Sequence, residues 1–360
     1  MVFLEVIKGM KTLDEDQVAR MLIKLLEEYT PPGSESKLHK TLKSLCESLG
    51  FEECYMDEVG NFFASYGRGD VILLASHLDT VPGKLKVSYD GELVYGRGAV
   101  DAKGPLLSYI LGAHQAFERV SGVKVIVAGL VREELDGLGA KHLVEKRLKV
   151  DHILVGEPTG FGIAVAYRGS ITAEAYARAR GGHSSAPYVG ESALDRMLGF
   201  VNEVRSRFRG SSYNEVTSAI TMLRAGDWPS KLPEEARAYV NIRFPSPIEV
   251  NSILDEVRGI AGRHGVELRM VDATPPVEVK LSIRAVRALV RGCLRRGVKP
   301  RIVKKTGTSD MNVLASLTRS IAAFGPGDSK LAHTSLEKMA VGDLIKAASI
   351  VSAAIEELSR

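Results

Sequence analysis

The sequence predicts an α/β fold in which a three-layer domain around a partly parallel sheet carries an inserted ferredoxin-like module. Two observations point there. Apolar runs at 71–76, 123–131 and 151–156 alternate with helix-patterned segments, as in a parallel sheet whose strands are buried on both faces. From Arg168 to about Asp272 the pattern changes to strand, helix, two strands, helix, strand, the βαββαβ order of a self-contained ferredoxin-like unit. The expected boundaries are therefore 1–167 and 273–360 for the sheet domain and 168–272 for the insertion.

Each element has its own signal. Residues 13–29 repeat apolar positions at helical spacing behind a run of acids, and Thr30-Pro31-Pro32-Gly33-Ser34 stops them. A second helix runs from Ser34 or Glu35 to Gly50, with His39 on its surface. Strands are expected at 51–57, 61–66 and 71–76, and a hairpin at 87–95 turning on Asp90-Gly91. Pro105 to Val120 reads as a helix, 123–131 as a strand, GLGAKHLVEKRL as a short helix and DHILVG as a strand. After the insertion, α/β character resumes with SIRAVRALVRGCLRRG (helix), SIAAFGPG (strand and turn) and VGDLIKAASIVSAAIEEL (long helix). No internal repeat or low-complexity tract is present in the sequence.

Composition narrows the class of protein. With 360 residues, 45% hydrophobic and 26% charged, the chain can bury two sizeable cores. The start, MVFLEVIKGMKTLDEDQ, turns charged too early for a signal peptide, and no apolar run approaches the about 18 residues of a membrane span. Cys46, Cys54 and Cys293 are scattered without CxxC spacing, so neither a disulfide framework nor a zinc knuckle is expected, and a reducing cytoplasm fits. The net charge is only +4 and the basic residues read as spread along the chain, which argues against nucleic acid as a partner and is compatible with an acidic one. Six Asn and two Gln, a scarcity of thermolabile amides, suggest a hot-living source.

The chemistry gathers at strand and loop ends. The strand VILLAS ends on His77, with Asp79 two residues later and Pro82 ending the pairing. In open α/β sheets, ligands collect outside the carboxyl ends of parallel strands. His77, Asp101, Glu134, Glu157 and His333 all fall at or just after strand or loop ends, and two imidazoles with three carboxylates suit a pair of divalent ions. Taken singly each has a plain alternative. A strand-end His is often structural, Asp101 could cap a helix, Glu133-Glu134 could be a solvated pair, and Glu157 could belong to a turn before Pro158.

Taken together, SHLDTVP, GRGAVDAKG, VREELDGLG, VGEPT and AHTSLE, in this order, resemble the acetylornithine deacetylase, succinyl-diaminopimelate desuccinylase and aminoacylase family of dinuclear metallohydrolases. The resemblance spans nearly the whole chain. It implies a zinc-exopeptidase-like catalytic domain and an inserted lid or dimerisation domain. It also implies two divalent metal ions per chain, zinc first, with cobalt suiting the same ligands. His77 and Glu157 would hold one ion, Glu134 and His333 the other, and Asp101 would bridge them. Asp79 would accept the ring N–H of His77, and Glu133 would act as general base. A cis peptide would join Asp101 to Ala102.

By the same resemblance, His183 in GGHSSAPY would reach the partner subunit's site in a homodimer and donate to the oxyanion. Arg243 in NIRFP would bind a substrate carboxylate, and Lys305 and Gly307 in KKTGTSD would lie on the substrate side. Each of these could instead be an ordinary turn or surface residue. His114, His142, His152 and His264 match no motif and read as surface or turn residues. The compact length, VAYRGSI and TGTSDMN look most like the branch that releases lysine or ornithine from the γ-carboxyl of the C-terminal glutamate of a small acidic amino-group carrier protein, LysW. The alternatives are a small-molecule deacylase acting on N-acetyl-ornithine or N-succinyl-diaminopimelate, a dipeptidase or carboxypeptidase, and a non-catalytic regulator. Neither nucleic acid nor membrane is expected as a partner.

Overall fold

The computed structural model describes residues 14–360, so Leu13 of the first predicted helix and most of the segment read for a signal peptide lie outside the described residues. Asp14 opens α1 (Glu15–Glu27) with a capping box: its carboxylate accepts the Gln17 N–H at 2.7 Å while the Gln17 side chain accepts the Asp14 N–H. A 3₁₀ turn at Glu35–Leu38 leads into α2 (His39–Ser48). Then come β1 (Glu53–Met56), β2 (Phe62–Gly67), β3 (Asp70–His77), β4 (Ser88–Tyr89) and β5 (Leu93–Tyr95). The last two form the expected hairpin, whose turn Asp90 closes by accepting the Glu92 and Leu93 N–H groups. α3 (Lys103–Ala116) begins before the expected Pro105, because a first-turn proline gives up an N–H that the helix does not use.

β6 (Val123–Leu130), α4 (Leu138–Glu145), β7 (His152–Gly156) and β8 (Gly162–Tyr167) follow. The next stretch holds β9 (Gly169–Arg178), β10 (Gly182–His183), α5 (Ala193–Arg207), β11 (Thr217–Ala225), β12 (Lys231–Leu232), β13 (Glu235–Phe244), α6 (Val250–Arg263) and β14 (Val266–Thr274). The chain then forms β15 (Val277–Glu278), α7 (Arg284–Arg295), β16 (Arg301–Lys305), α8 (Asp310–Leu314), β17 (Ile321–Phe324), β18 (Lys338–Ala340) and α9 (Val341–Leu358). β8, β10, β12, β15, β16, β18 and α8 were not expected. β8 continues almost directly into β9 and reads with it as one run, and β16 and α8 are too short to show a period.

The chain folds as two compact units. The first holds the residues up to Val165 together with 279–303 and 309–360, and the second holds 166–278 with 304–308. In the first unit the sheet order is β1-β2-β6-β3-β7-β17-β8, with β6, β3, β7 and β17 mutually parallel. β7 and β17 are buried at every position and β3 at its last six, which requires cover on both faces and makes this the middle layer of three. In the second unit β11-β13-β9-β14 form an antiparallel sheet with α5 and α6 packed on it, the ferredoxin-like module. No helix among the described residues is long and apolar enough to cross a membrane.

α9 is the spine of the first unit, packed between α3 and α7. A glycine on each neighbour permits the approach. A Cβ at Gly112 of α3 would stand 2.8 Å from the Ala348 carbonyl oxygen, and one at Gly292 of α7 would stand 2.7 Å from the Ile350 carbonyl oxygen. Backbone atoms cannot swing aside as a side-chain tip can. Gly112→Ala should therefore destabilise the protein by about 1–3 kcal/mol, although alanine is intrinsically the better helix former by up to about 1 kcal/mol. Gly262→Ala in α6, where a Cβ meets nothing within 4 Å, should leave the protein as stable or more so. Thermal unfolding midpoints that move in opposite directions would verify the contrast.

Candidate metal centre

Strand register brings the chemistry to one level. His77, the last residue of β3, lies opposite Leu130, the last of β6, while Ala75 lies opposite Val155 of β7. The loops carrying Glu133-Glu134 and Glu157 therefore leave the sheet beside His77, on the edge where parallel strands end. Asp101 comes from the turn before α3, and His333 from the loop between β17 and β18. His333 has φ +64°, a left-handed conformation that costs a non-glycine residue free energy.

Asp101 sits between the two imidazoles. One carboxylate oxygen is 3.1 Å from His77 Nε2 and the other 3.3 Å from His333 Nε2, which also meets Glu134 Oε1 at 2.8 Å. One ligand atom each from His77, Asp101 and Glu134 lie within 4.8 Å of one another. This triad combines one member of each expected ion's pair with the expected bridge. The peptide between Asp101 and Ala102 is cis.

Asp79 differs from expectation. His77 Nδ1 meets the carbonyl oxygen of Asp79 at 2.9 Å, whereas the Asp79 carboxylate is 3.5 Å away. The reason is that this buried carboxylate is committed elsewhere, accepting the Glu133 N–H at 3.1 Å and the Glu134 N–H at 3.0 Å, one on each oxygen. A carbonyl oxygen only accepts, so Nδ1 carries a proton and Nε2 is the nitrogen turned to Asp101. The adjacent glutamates sit in a turn, entered through Arg132 at φ +60°. Its N–H donates to Glu35, and its carbonyl accepts from Asp136 and Gly137.

Charge in the site is lopsided. Asp79, Asp101, Glu133, Glu134, Glu157 and Asp310 gather around His77 and His333, six acids to two imidazoles. Burial pushes Glu133 and Glu157 well above the usual carboxylate range, and neighbouring acids push them further. Asp310 is raised to about 7 by burial, with Asp79 adding to the rise and His77 opposing it. Burial opposes protonation of His77, but Asp101 and Asp79 outweigh it and lift the imidazole well above its ordinary value. His333 is pushed up to about 10 by its hydrogen bonds to Asp101 and Glu134. Burial would raise Asp101, yet the two imidazoles hold it below the ordinary range. Carboxylate oxygens with two imidazole nitrogens are the donor set of divalent cations, and such cations would balance the excess negative charge. These residues fit a metal site.

Three contributors were not singled out by sequence, although all lie in quoted motifs. Buried Asp310 opens α8, and its Oδ2 has no hydrogen-bond partner among the described residues. Glu337 of AHTSLE accepts the Gly98, Val100 and Asp101 N–H groups on Oε1 and pairs with Arg97 through Oε2 at 2.8 Å, so it clamps the loop that presents Asp101. Lys103 of GRGAVDAKG is buried, and its ammonium donates to the carbonyls of Leu25 and Glu28; burial lowers it to about 7. Motif membership was the available signal for each.

The other expected site residues belong to the second unit. His183 is exposed on β10, and its Nδ1 lies 2.8 Å from Ser185 Oγ. Arg243 of β13 donates from Nε to Asn241 at 3.1 Å, while its buried Nη1 has no partner among the described residues. Buried Arg168 links Arg243 to Lys305, since its guanidinium donates to the Arg243 carbonyl and its N–H to the Lys305 carbonyl. Gly307 faces open space. The histidines outside the motifs make structural contacts: His39 with the Gly60 carbonyl, His114 with that of Leu49, His142 with Glu58, His152 with Ser320 and His264 with Glu203.

Residues 73–357 match the sequence profile of Peptidase family M20/M25/M40. The chain is 42% identical over 342 residues to an Aeropyrum pernix protein provisionally named LysW-lysine/LysW-ornithine hydrolase, covering 94% of this chain and 95% of that protein. It is 35% identical over 351 residues to the LysW-lysine/LysW-ornithine hydrolase of Saccharolobus islandicus, covering 97% and 98%. Among solved structures, a Staphylococcus aureus tripeptidase superposes with a TM-score of 0.84 at 20% identity, covering 97% of this chain and 99% of that one. An M20 family metallo-carboxypeptidase of Sulfolobus solfataricus gives 0.78 at 16%, covering 96% and 100%; both likenesses speak to the fold alone. The chain belongs to Peptidase family M20/M25/M40 and is an amide hydrolase of that family.

Proposed function

We propose that this hydrolase cleaves the amide that joins lysine or ornithine to the γ-carboxyl of the C-terminal glutamate of an acidic amino-group carrier protein, LysW, in the cytoplasm. The reaction rests on one observation, Asp101 lying between His77 and His333 with the turn of Glu133 and Glu134 beside them. The substrate rests on the relatives named for that activity, which match over nearly their whole length.

His77 with Glu157, and Glu134 with His333, would each hold one divalent ion, zinc or cobalt, with Asp101 shared between them. When bound, these ions would supply Lewis acidity and acidify a water. The remaining work belongs to the chain. Glu133 takes the proton of the attacking water and returns it to the leaving amine. Its raised affinity for protons, from burial among acids, suits a group that must both accept and release one. Asp79 positions Glu133 and Glu134 through their backbone N–H groups. His183 donates to the tetrahedral oxyanion in a homodimer formed through the inserted domain, whose ferredoxin-like unit also serves as a lid. Arg243 grips a substrate carboxylate, with Lys305 and Gly307 on the substrate side.

Glu133→Gln should keep about two metal ions per chain by elemental analysis, yet lose about 10²–10⁴-fold in kcat; turnover at the wild-type rate would sink the base assignment. Asp79→Ala frees the glutamate turn and should lower both metal retention and kcat by about 10–100-fold, whereas Asp79→Asn, which keeps one acceptor, should lose less. Aminoacylated carrier, N-acetyl-ornithine and N-succinyl-diaminopimelate offered side by side should give a far higher kcat/KM for the carrier. Equal turnover of either small amide would remove the carrier from the reading.

A further inference from the structure

Basic residues are not spread evenly, contrary to the expectation from composition. Between Glu278 and Asp310 the chain holds ten Lys and Arg residues and no acid. Within the first unit its basic residues, from Lys280 to Arg301, are all exposed. α7 buries Ala285, Val286, Ala288, Leu289, Gly292 and Cys293. Its other side carries Arg284, Arg287, Arg291 and Arg295, all exposed and spaced at helical intervals along about 18 Å. Exposed Arg296, Lys299 and Arg301 extend the row beyond the helix.

Neutralisation of this face is incomplete. Glu357 pairs with Arg291 and Arg295, and Glu356 reaches Arg295 at 3.4 Å. Among the described residues Arg284, Arg296 and Arg301 donate to carbonyl oxygens, those of Leu358, Ser349 and Gly160, and none of the three forms an ion pair. Arg287 and Lys299 have no side-chain partner among the described residues. The row also leads to the metal centre, because Gly160, which accepts from Arg301 at 2.6 Å, lies on the loop that carries Glu157.

We propose that the exposed face of α7, continued to Arg301, is a docking surface for an acidic protein, namely the carrier that presents the scissile amide; this rests on the carrier reading above. A protein fits better than nucleic acid. Leu281, Leu294 and Ile302 stand 57%, 61% and 43% exposed among the basic residues, and the segment 279–303 itself contains no aromatic residue for stacking on bases. Exposed charges at the edge of an interface act on encounter and orientation more than on the chemical step.

The test compares wild type with Arg287→Glu/Arg296→Glu/Lys299→Glu, and with Lys40→Glu/Lys43→Glu/Lys149→Glu as a control of equal charge change elsewhere. KM for aminoacylated carrier should rise about tenfold or more in the first variant, with kcat and the melting temperature kept, and the difference from wild type should shrink as salt is raised. The control should stay near wild type. An unchanged KM in the first variant, an equal rise in the control, or a DNA or RNA oligonucleotide that binds this face more tightly than the carrier does would each overturn the docking surface. Failure of wild type to cleave the carrier at all would instead overturn the reading on which it rests.

Discussion

Two hydrogen bonds from successive backbone N–H groups to one buried carboxylate set the geometry on which the candidate centre depends. Asp79 takes the Glu133 and Glu134 N–H groups on separate oxygens, and its own carbonyl holds the ring of His77. A single residue thus orients two loops, one after β3 and one after β6. Burying that carboxylate would be costly without partners, and the charge-assisted bonds it accepts offset the cost. The direction in which each glutamate leaves the turn follows from this anchor.

Around it the protein concentrates acids that repel one another. Carboxylates pushed upward by burial and by each other mark a site assembled for positive charge that the side chains alone do not provide. The imidazoles of His77 and His333 compensate in part, by holding Asp101 low from either side. Stability of such a cluster is linked to whatever cations it binds, because a ligand that prefers the folded state stabilises that state.

Much of this was legible in the sequence, for a physical reason. Buried parallel strands write themselves as apolar runs, and the residue that follows such a run is placed by the sheet, so His77, Glu133, Glu134 and Glu157 could be located from hydrophobicity and strand ends. What stayed hidden depends on approach between distant segments. Glu337 meets the Asp101 N–H across 236 positions, and the AHTSLE motif that contains it does not name that partner. The carboxylate of Asp79 was assigned to the nearer imidazole because two backbone N–H groups 54 and 55 residues away leave no trace in composition. Asp310 and β16 belong to elements too short to carry a period, and the basic row of α7 vanished into an almost neutral total charge.

The packing of α9 has a consequence for how the chain comes into being. α7 and α9 complete the first unit's core, yet both follow the β9–β14 module in the chain. On the ribosome the β9–β14 module has its full set of strands and helices while the sheet that will carry the metal centre still lacks its spine. The first unit must therefore wait, with apolar surface of α3 and β7 uncovered, until the later helices emerge. Domains generally fold as units during synthesis, and transiently exposed apolar surface invites aggregation. The close helix contacts that Gly112 and Gly292 permit are thus formed late, and they end the interval in which the nascent chain is most vulnerable.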